Sequence, residues 1–297
     1  MTSTGFRAIV VPLDGSPIAE EALPVGAAMA RKAGACLHLV AAEPSPPAAE
    51  QYLDWLAVAA RAVDGFPVCT ALLGGPTVAA LSQYIRAHSV DLVVMTTHGR
   101  SGIKRWCSGS SSEELLRWAS CPVLVLHTQE LPQPTEFKRI LVALDGERDD
   151  PVLRSATALG SLIQGSRYFL TQVVEPPIPI VTRLAARPAH LEPHLGERRE
   201  IEVRSRLASL SDQLREQGFR VTPQVLVGRG IADQILHLAQ ALGVDCIAAG
   251  THGWRGAERL LLGSVADKIL RGAQIPILIT PTHVTAPTTT EPIEAAR

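Results

Sequence analysis

The chain has 297 residues, 28 Lys and Arg against 29 Asp and Glu, a formal net charge of −1, and 46% hydrophobic against 19% charged residues. That length holds about two globular domains with proper cores, and the apolar content excludes a wholly disordered chain. Near-neutral charge supplies no overall field for phosphate backbones or anionic lipid, so neither nucleic acid nor a membrane is expected as a partner.

In chain order, the first half reads as strands Ala8 to Leu13, Cys36 to Ala41, Pro67 to Leu72, Asp91 to Met95 and Val123 to His127, separated by helix-period segments. The second half repeats the pattern at Ile140 to Leu144, Tyr168 to Val173, Arg220 to Leu226, Cys246 to Ala249 and Ile277 to Thr280. The strands are apolar runs and not alternating ones, as expected for a parallel sheet buried on both faces. Ser16-Pro17 and Asp150-Pro151 read as helix starts, a capping side chain before a proline. Ser110 with Glu113 and Ser264 with Asp267 have the spacing of capping pairs. Val152, Ala156, Leu159 and Ile163 form one apolar helical stripe. The five cysteines, Cys36, Cys69, Cys107, Cys121 and Cys246, lack CxxC pairing or His-rich spacing, so reduced structural thiols are expected and neither a disulfide frame nor a zinc site. With no secretory pattern at the start and no run of about 18 apolar residues, a cytoplasmic location is expected.

The two halves are copies. Ile9-Val-Val-Pro-Leu-Asp14-Gly15 returns as Ile140-Leu-Val-Ala-Leu-Asp145-Gly146, 131 positions on (145 minus 14). Thr97-His98-Gly99, Gly109-Ser110 and Cys121-Pro122 return as Thr251-His252-Gly253, Gly263-Ser264 and Ile275-Pro276, 154 positions on (251 minus 97). The change of offset places an insertion of roughly twenty residues between Pro176 and Gly228, in a region that absorbs length cheaply. The expected organisation is a domain at 1–128, a linker at 129–137, a second domain at 138–281 and a flexible tail at 282–297.

In an open parallel sheet, ligands bind at the carboxyl ends of the strands where the strand order reverses. Strands one and four of each copy end there, in Asp14-Gly15 and Asp145-Gly146, and in glycine-bearing loops that lead to Gly-Ser at the start of the last helix. Glycine lets the main chain approach oxygen atoms closely, and the helix end adds partial positive charge, so the loop suits a phosphate. Each feature also has a plainer role. Asp-Gly is a turn former, His98 and His252 serve to stiffen a loop, and Arg100, Arg105, Arg255 and Arg259 fit a solvated face.

Each copy resembles a universal stress protein domain, whose nucleotide-binding members carry G-x2-G-x9-G-[ST]. The second copy has it in full as Gly250-x2-Gly253-x9-Gly263-Ser264; the first begins on Thr96 and has Trp106-Cys107-Ser108 before Gly109-Ser110. The resemblance implies an α/β fold of two tandem Rossmann-like domains, each an open five-stranded parallel sheet of order 3-2-1-4-5 with helices on both faces. It also implies ATP as ligand, with Mg2+ or Mn2+ compatible on the phosphates. Carried over by position, the first copy's contacts are Pro12, Asp14 and Ala41 with a cradle of Gly99, Arg100, Ser101, Gly102, Gly109, Ser110 and Ser111. Those of the second are Ala143, Asp145 and Val173 with Gly250, His252, Gly253, Trp254, Arg255, Gly256, Gly263, Ser264 and Val265. No catalytic set and no protein metal ligands stand out. The expected function is a nucleotide-dependent stress-response regulator with at most slow ATP hydrolysis. The alternatives are an interaction module that binds no nucleotide and an adenylyl-transferring enzyme, whose SGGxDS-like or HxGH-like signatures are missing. The closing strands are expected to pair the copies within the chain, with a homodimer left open.

Overall fold

The computed structural model describes residues 5–42, 49–61, 66–97, 119–128, 135–146, 149–176, 195–251 and 263–281. The first half contains β1 (Ala8–Leu13), α1 (Pro17–Glu20), α2 (Ala22–Ala33), β2 (Cys36–Ala42), α3 (Ala49–Arg61), β3 (Val68–Leu73), α4 (Thr77–Ala87), β4 (Leu92–Thr97) and β5 (Val123–His127). The second contains β6 (Arg139–Ala143), α5 (Asp149–Ser161), β7 (Arg167–Val174), α6 (Leu195–Glu216), β8 (Arg220–Val227), α7 (Ile231–Leu242), β9 (Cys246–Gly250), α8 (Ser264–Gly272) and β10 (Ile277–Thr280).

Within each half the strands are parallel and ordered as expected, β3-β2-β1-β4-β5 and β8-β7-β6-β9-β10. The halves then merge, because β5 and β10 pair antiparallel with Val125 opposite Ile277 and Val123 opposite Ile279. One sheet of ten strands results, with β3 and β8 at its ends. Val123, Leu124, Val125, Ile277, Leu278 and Ile279 at the seam are all buried. Their apolar character thereby finds cover that a free edge would lack.

Strand residues alternate between two apolar layers, which is why the runs are continuously hydrophobic. Ile9, Val11, Leu37, Leu39, Leu124 and Leu278 face the layer that holds α2, α3, α5 and α6. Val10, Val40, Val93, Val125, Ile247 and Ile277 face the layer of α4, α7 and α8. In α2 the buried residues are Ala22, Val25, Gly26, Met29 and Ala30, a single helical stripe. Gly26 within it is required by close approach: a Cβ there would stand 2.6 Å from Val11 Cγ2.

The register is duplicated. Ala8 pairs with Cys36 as Arg139 pairs with Arg167, both at the 131-residue offset, whereas Leu37–Val68 corresponds to Tyr168–Val221. The extra length therefore enters between β7 and β8, where α6 runs for 22 residues against 13 in α3. Two helix starts differ from expectation. α5 begins at Asp149, so Asp150 already lies in the first turn and does not cap it. At α8 the cap is Gly263, without a side-chain bond, and Asp267 instead pairs with Arg271 at 2.9 Å. Ser16 does cap α1, its Oγ accepting from Ala19 N at 3.2 Å.

Candidate functional site

Strand order reverses between β1 and β4 in the first half and between β6 and β9 in the second, which opens a crevice beyond the carboxyl ends of each pair. In the first half Pro12 is half-buried, Ala41 is buried beside Leu13, and Asp14 is exposed at the strand end. Asp14 Oδ1 accepts from Ser16 N at 2.9 Å and Gly15 takes φ 78°, so this carboxylate forms a turn at the crevice rim. Thr96, standing where the second copy has Gly250, is buried and donates its hydroxyl to the Ile18 carbonyl at 2.5 Å. The departure from glycine thus ties β4 to α1. Tyr52 of α3 donates to Glu20 Oε1 at 2.8 Å, and burial followed by the Glu20 carboxylate pushes the phenol well above its ordinary range. Gly99 to Gly102 and Gly109 to Ser111 lie outside the described residues.

The second crevice has different walls. Asp145 and Ala143 are half-buried at the end of β6, and Gly146 takes φ 94°. Gln172 Nε2 donates to the Asp145 carbonyl at 3.2 Å, while Arg206 of α6 donates to Gln172 Oε1. A Cβ on Gly146 would meet Gln172 Nε2 at 3.1 Å and Arg206 Nη2 at 3.5 Å, so the guanidinium and the amide close over this turn. Sequence reasoning missed both. The signal was available in the register, which makes Ala41 the counterpart of Gln172 and Ala42 that of Val173, placing a polar side chain where the other copy has alanine.

The glycine loop of the second half is anchored at both ends. Gly250 ends β9, Thr251 N donates to the Thr280 carbonyl at 3.0 Å, and Gly263 N donates to the Thr251 carbonyl at 2.6 Å. Residues 252–262, which include His252, Gly253, Trp254, Arg255 and Gly256, lie outside the described residues. After Gly263 α8 begins, with Ser264 exposed and Val265 half-buried. The first amides of a helix have no partners within it and carry its positive end, an arrangement that suits an anion. Among the described residues, the one His, Cys and carboxylate group with ligand atoms close enough for a metal is Cys36, His38 and Cys69, at the opposite end of the sheet.

The family model for universal stress proteins matches residues 5–127 and again residues 136–281. The chain belongs to the universal stress protein family. A universal stress protein of Mycobacterium tuberculosis is 28% identical over 204 residues, covering 65% of this chain and 62% of that relative, so the match spans less than two thirds of its length. Among solved structures, a universal stress protein of Pseudomonas aeruginosa superposes with a TM-score of 0.67 at 20% identity and covers 95% of both chains. One from Archaeoglobus fulgidus gives 0.68 at 17% identity, covering 92% of this chain and 96% of its own. These likenesses establish the universal stress protein fold over nearly the whole tandem length. No helix among the described residues is long and apolar enough to cross a membrane.

Proposed function

We propose that this universal stress protein binds ATP in its second half and uses occupancy as a stress-response signal, with at most slow hydrolysis. The observation that carries the reading is the closure of the glycine loop by Gly263 N on the Thr251 carbonyl, at the carboxyl end of β9 and directly before the free amides of α8. In this reading the phosphates lie on Gly253 to Gly256 and Gly263 to Val265, the sugar hydroxyls donate to Asp145, and Ala143 and Val173 border the base. Mg2+ or Mn2+ would travel with the phosphates and offset their repulsion of the carboxylate. Arg206 adds a cationic group beside Asp145. A ligand that binds the folded protein alone stabilises it as its concentration rises, which gives nucleotide level a physical readout. The cytoplasm, where ATP is abundant, is the location this reading favours.

For the first half the buried Thr96 hydroxyl on the Ile18 carbonyl favours the second reading, a half kept for its contacts and not for nucleotide. Native mass spectrometry of freshly purified protein, followed by analysis of the small molecules released on denaturation, decides between them. One adenine nucleotide per chain is expected. Two would restore the first half, and none, with no uptake of added ATP and Mg2+, would leave an interaction protein. Gly263→Val, which places a branched side chain where the main chain must meet phosphate, is expected to abolish that uptake while circular dichroism stays unchanged.

A further inference from the structure

The first half carries a polar cluster at the amino ends of its strands, remote from the crevice. Cys36 and His38 are alternate residues of β2 and so share a face, and Cys69 of β3 pairs with His38 on that same face. Cys36 Sγ lies 3.3 Å from Cys69 Sγ, and one ligand atom each from Cys36, His38 and Cys69 all lie within 4.8 Å of one another. α4 covers the group: Tyr84 Oη stands 2.9 Å from His38 Nδ1, and the His88 ring lies 4.1 Å from the Tyr84 ring between centroids. His38 is buried, Cys36 half-buried and Cys69 exposed, so the cluster opens to solvent beside the edge strand β3.

The second half shows that the fold does not need these groups. At the same register it has Arg167, Phe169 and Thr222, and Leu238 and Leu242 stand where the first half has Tyr84 and His88. Phe169 there is buried, packed under the Arg139 guanidinium.

A disulfide fits this placement poorly. Cys36 sits opposite Pro67, hence one strand across and two residues along from Cys69, about 8 Å between Cα atoms by ordinary sheet spacings, beyond the roughly 7 Å at which bridging fails without backbone movement. A cation makes better use of the same atoms. With metal–sulfur bonds of about 2.3 Å and metal–nitrogen bonds of about 2.0 Å, tetrahedral ligand atoms stand roughly 3.5 to 3.8 Å apart, a separation that small side-chain rotations reach from the present positions.

We propose that Cys36, His38 and Cys69 form a binding site for a zinc-type cation, with solvent in the fourth position. Two thiolates and an imidazole select Zn2+ over the hard cations that accompany nucleotides. The bond from His38 to Tyr84 fixes the imidazole plane, as a partner of a ligating histidine does. Bound metal would cross-link β2 to the edge strand.

The test is a titration of the reduced, metal-free full chain with Co2+ in the absence of nucleotide, following thiolate-to-cobalt charge transfer. One Co2+ per chain is expected, displaced by Zn2+ one for one. Cys36→Ser and Cys69→Ser are each expected to weaken binding by more than the roughly 10- to 100-fold that loss of a ligand's hydrogen-bond partner costs. His38→Phe, which copies the second half's Phe169, is expected to fold normally and lose the cation. Absence of charge transfer while the thiols titrate as reduced overturns the site, and so does retention of binding in the Cys36→Ser, Cys69→Ser double variant.

Discussion

Arg206 belongs to no motif, yet it is the side chain that most distinguishes the second crevice from the first. Its guanidinium donates to Gln172, which in turn holds the Asp145 carbonyl. The matching rim of the first half has a phenol on a carboxylate, Tyr52 to Glu20. If ATP binds as proposed, Arg206→Ala should weaken it about tenfold, ~1.4 kcal/mol, in a calorimetric titration of the full chain. The residue was invisible beforehand because the offset between the copies changes within the segment that holds α6, so sequence alone does not say which residue of α3 stands opposite it. Asp14 and Asp145, by contrast, were legible as strand-end carboxylates, and the turn at Asp14 now explains its position without a ligand. Cys36, His38 and Cys69 escaped notice for another reason: their neighbourhood comes from strand register, while metal sites are usually recognised by short spacing along the chain. Setting the two copies side by side would have drawn attention to His38, a polar residue where the other copy has Phe169.

All ten strands were legible to within a residue or two at their ends, the inner ones because burial on both faces leaves an apolar signature, the partly exposed edge strands β3 and β8 because the repeat placed them. Helix starts were less so. Ser264 and Asp267 have the spacing of a capping pair, but Asp267 is also four residues before Arg271, and that ion pair takes the carboxylate. A repeated device went unread altogether. Asp91 Oδ2 accepts from Arg7 N and Ala8 N at 2.7 and 3.1 Å, and Asp245 Oδ2 accepts from Lys138 N and Arg139 N, both at 2.9 Å. Each aspartate thus holds the first amides of the neighbouring strand, β1 or β6, from a position more than eighty residues away, which local pattern cannot reveal. Asp245→Ala removes a charged acceptor from two amides and should lower the unfolding free energy by about 2 kcal/mol, measured by urea denaturation.

Across the whole molecule, the seam between β5 and β10 joins the two copies into one sheet, through the closing strands whose apolar runs called for a partner edge. His127 ends β5 there, buried, and desolvation holds its imidazole below the ordinary value of 6.5. His38 is shifted the same way, by burial and then by His88. A base whose folded pKa is depressed binds its proton more readily when unfolded, so stability is complete above pH 6.5 and declines as pH falls from there toward the folded value. Melting temperatures should therefore drop on acidification below pH 6.5, and His127→Gln should shallow that decline. Preserved pH dependence in this variant would assign the loss to other groups.

The antiparallel join also settles how the halves respond to dilution. Because β5 and β10 belong to one polypeptide, their meeting is a unimolecular event whose effective concentration is fixed by chain length and not by the number of molecules in solution. Scarcity of the protein does not part its halves, so a cell making only a few copies would still have every one of them assembled.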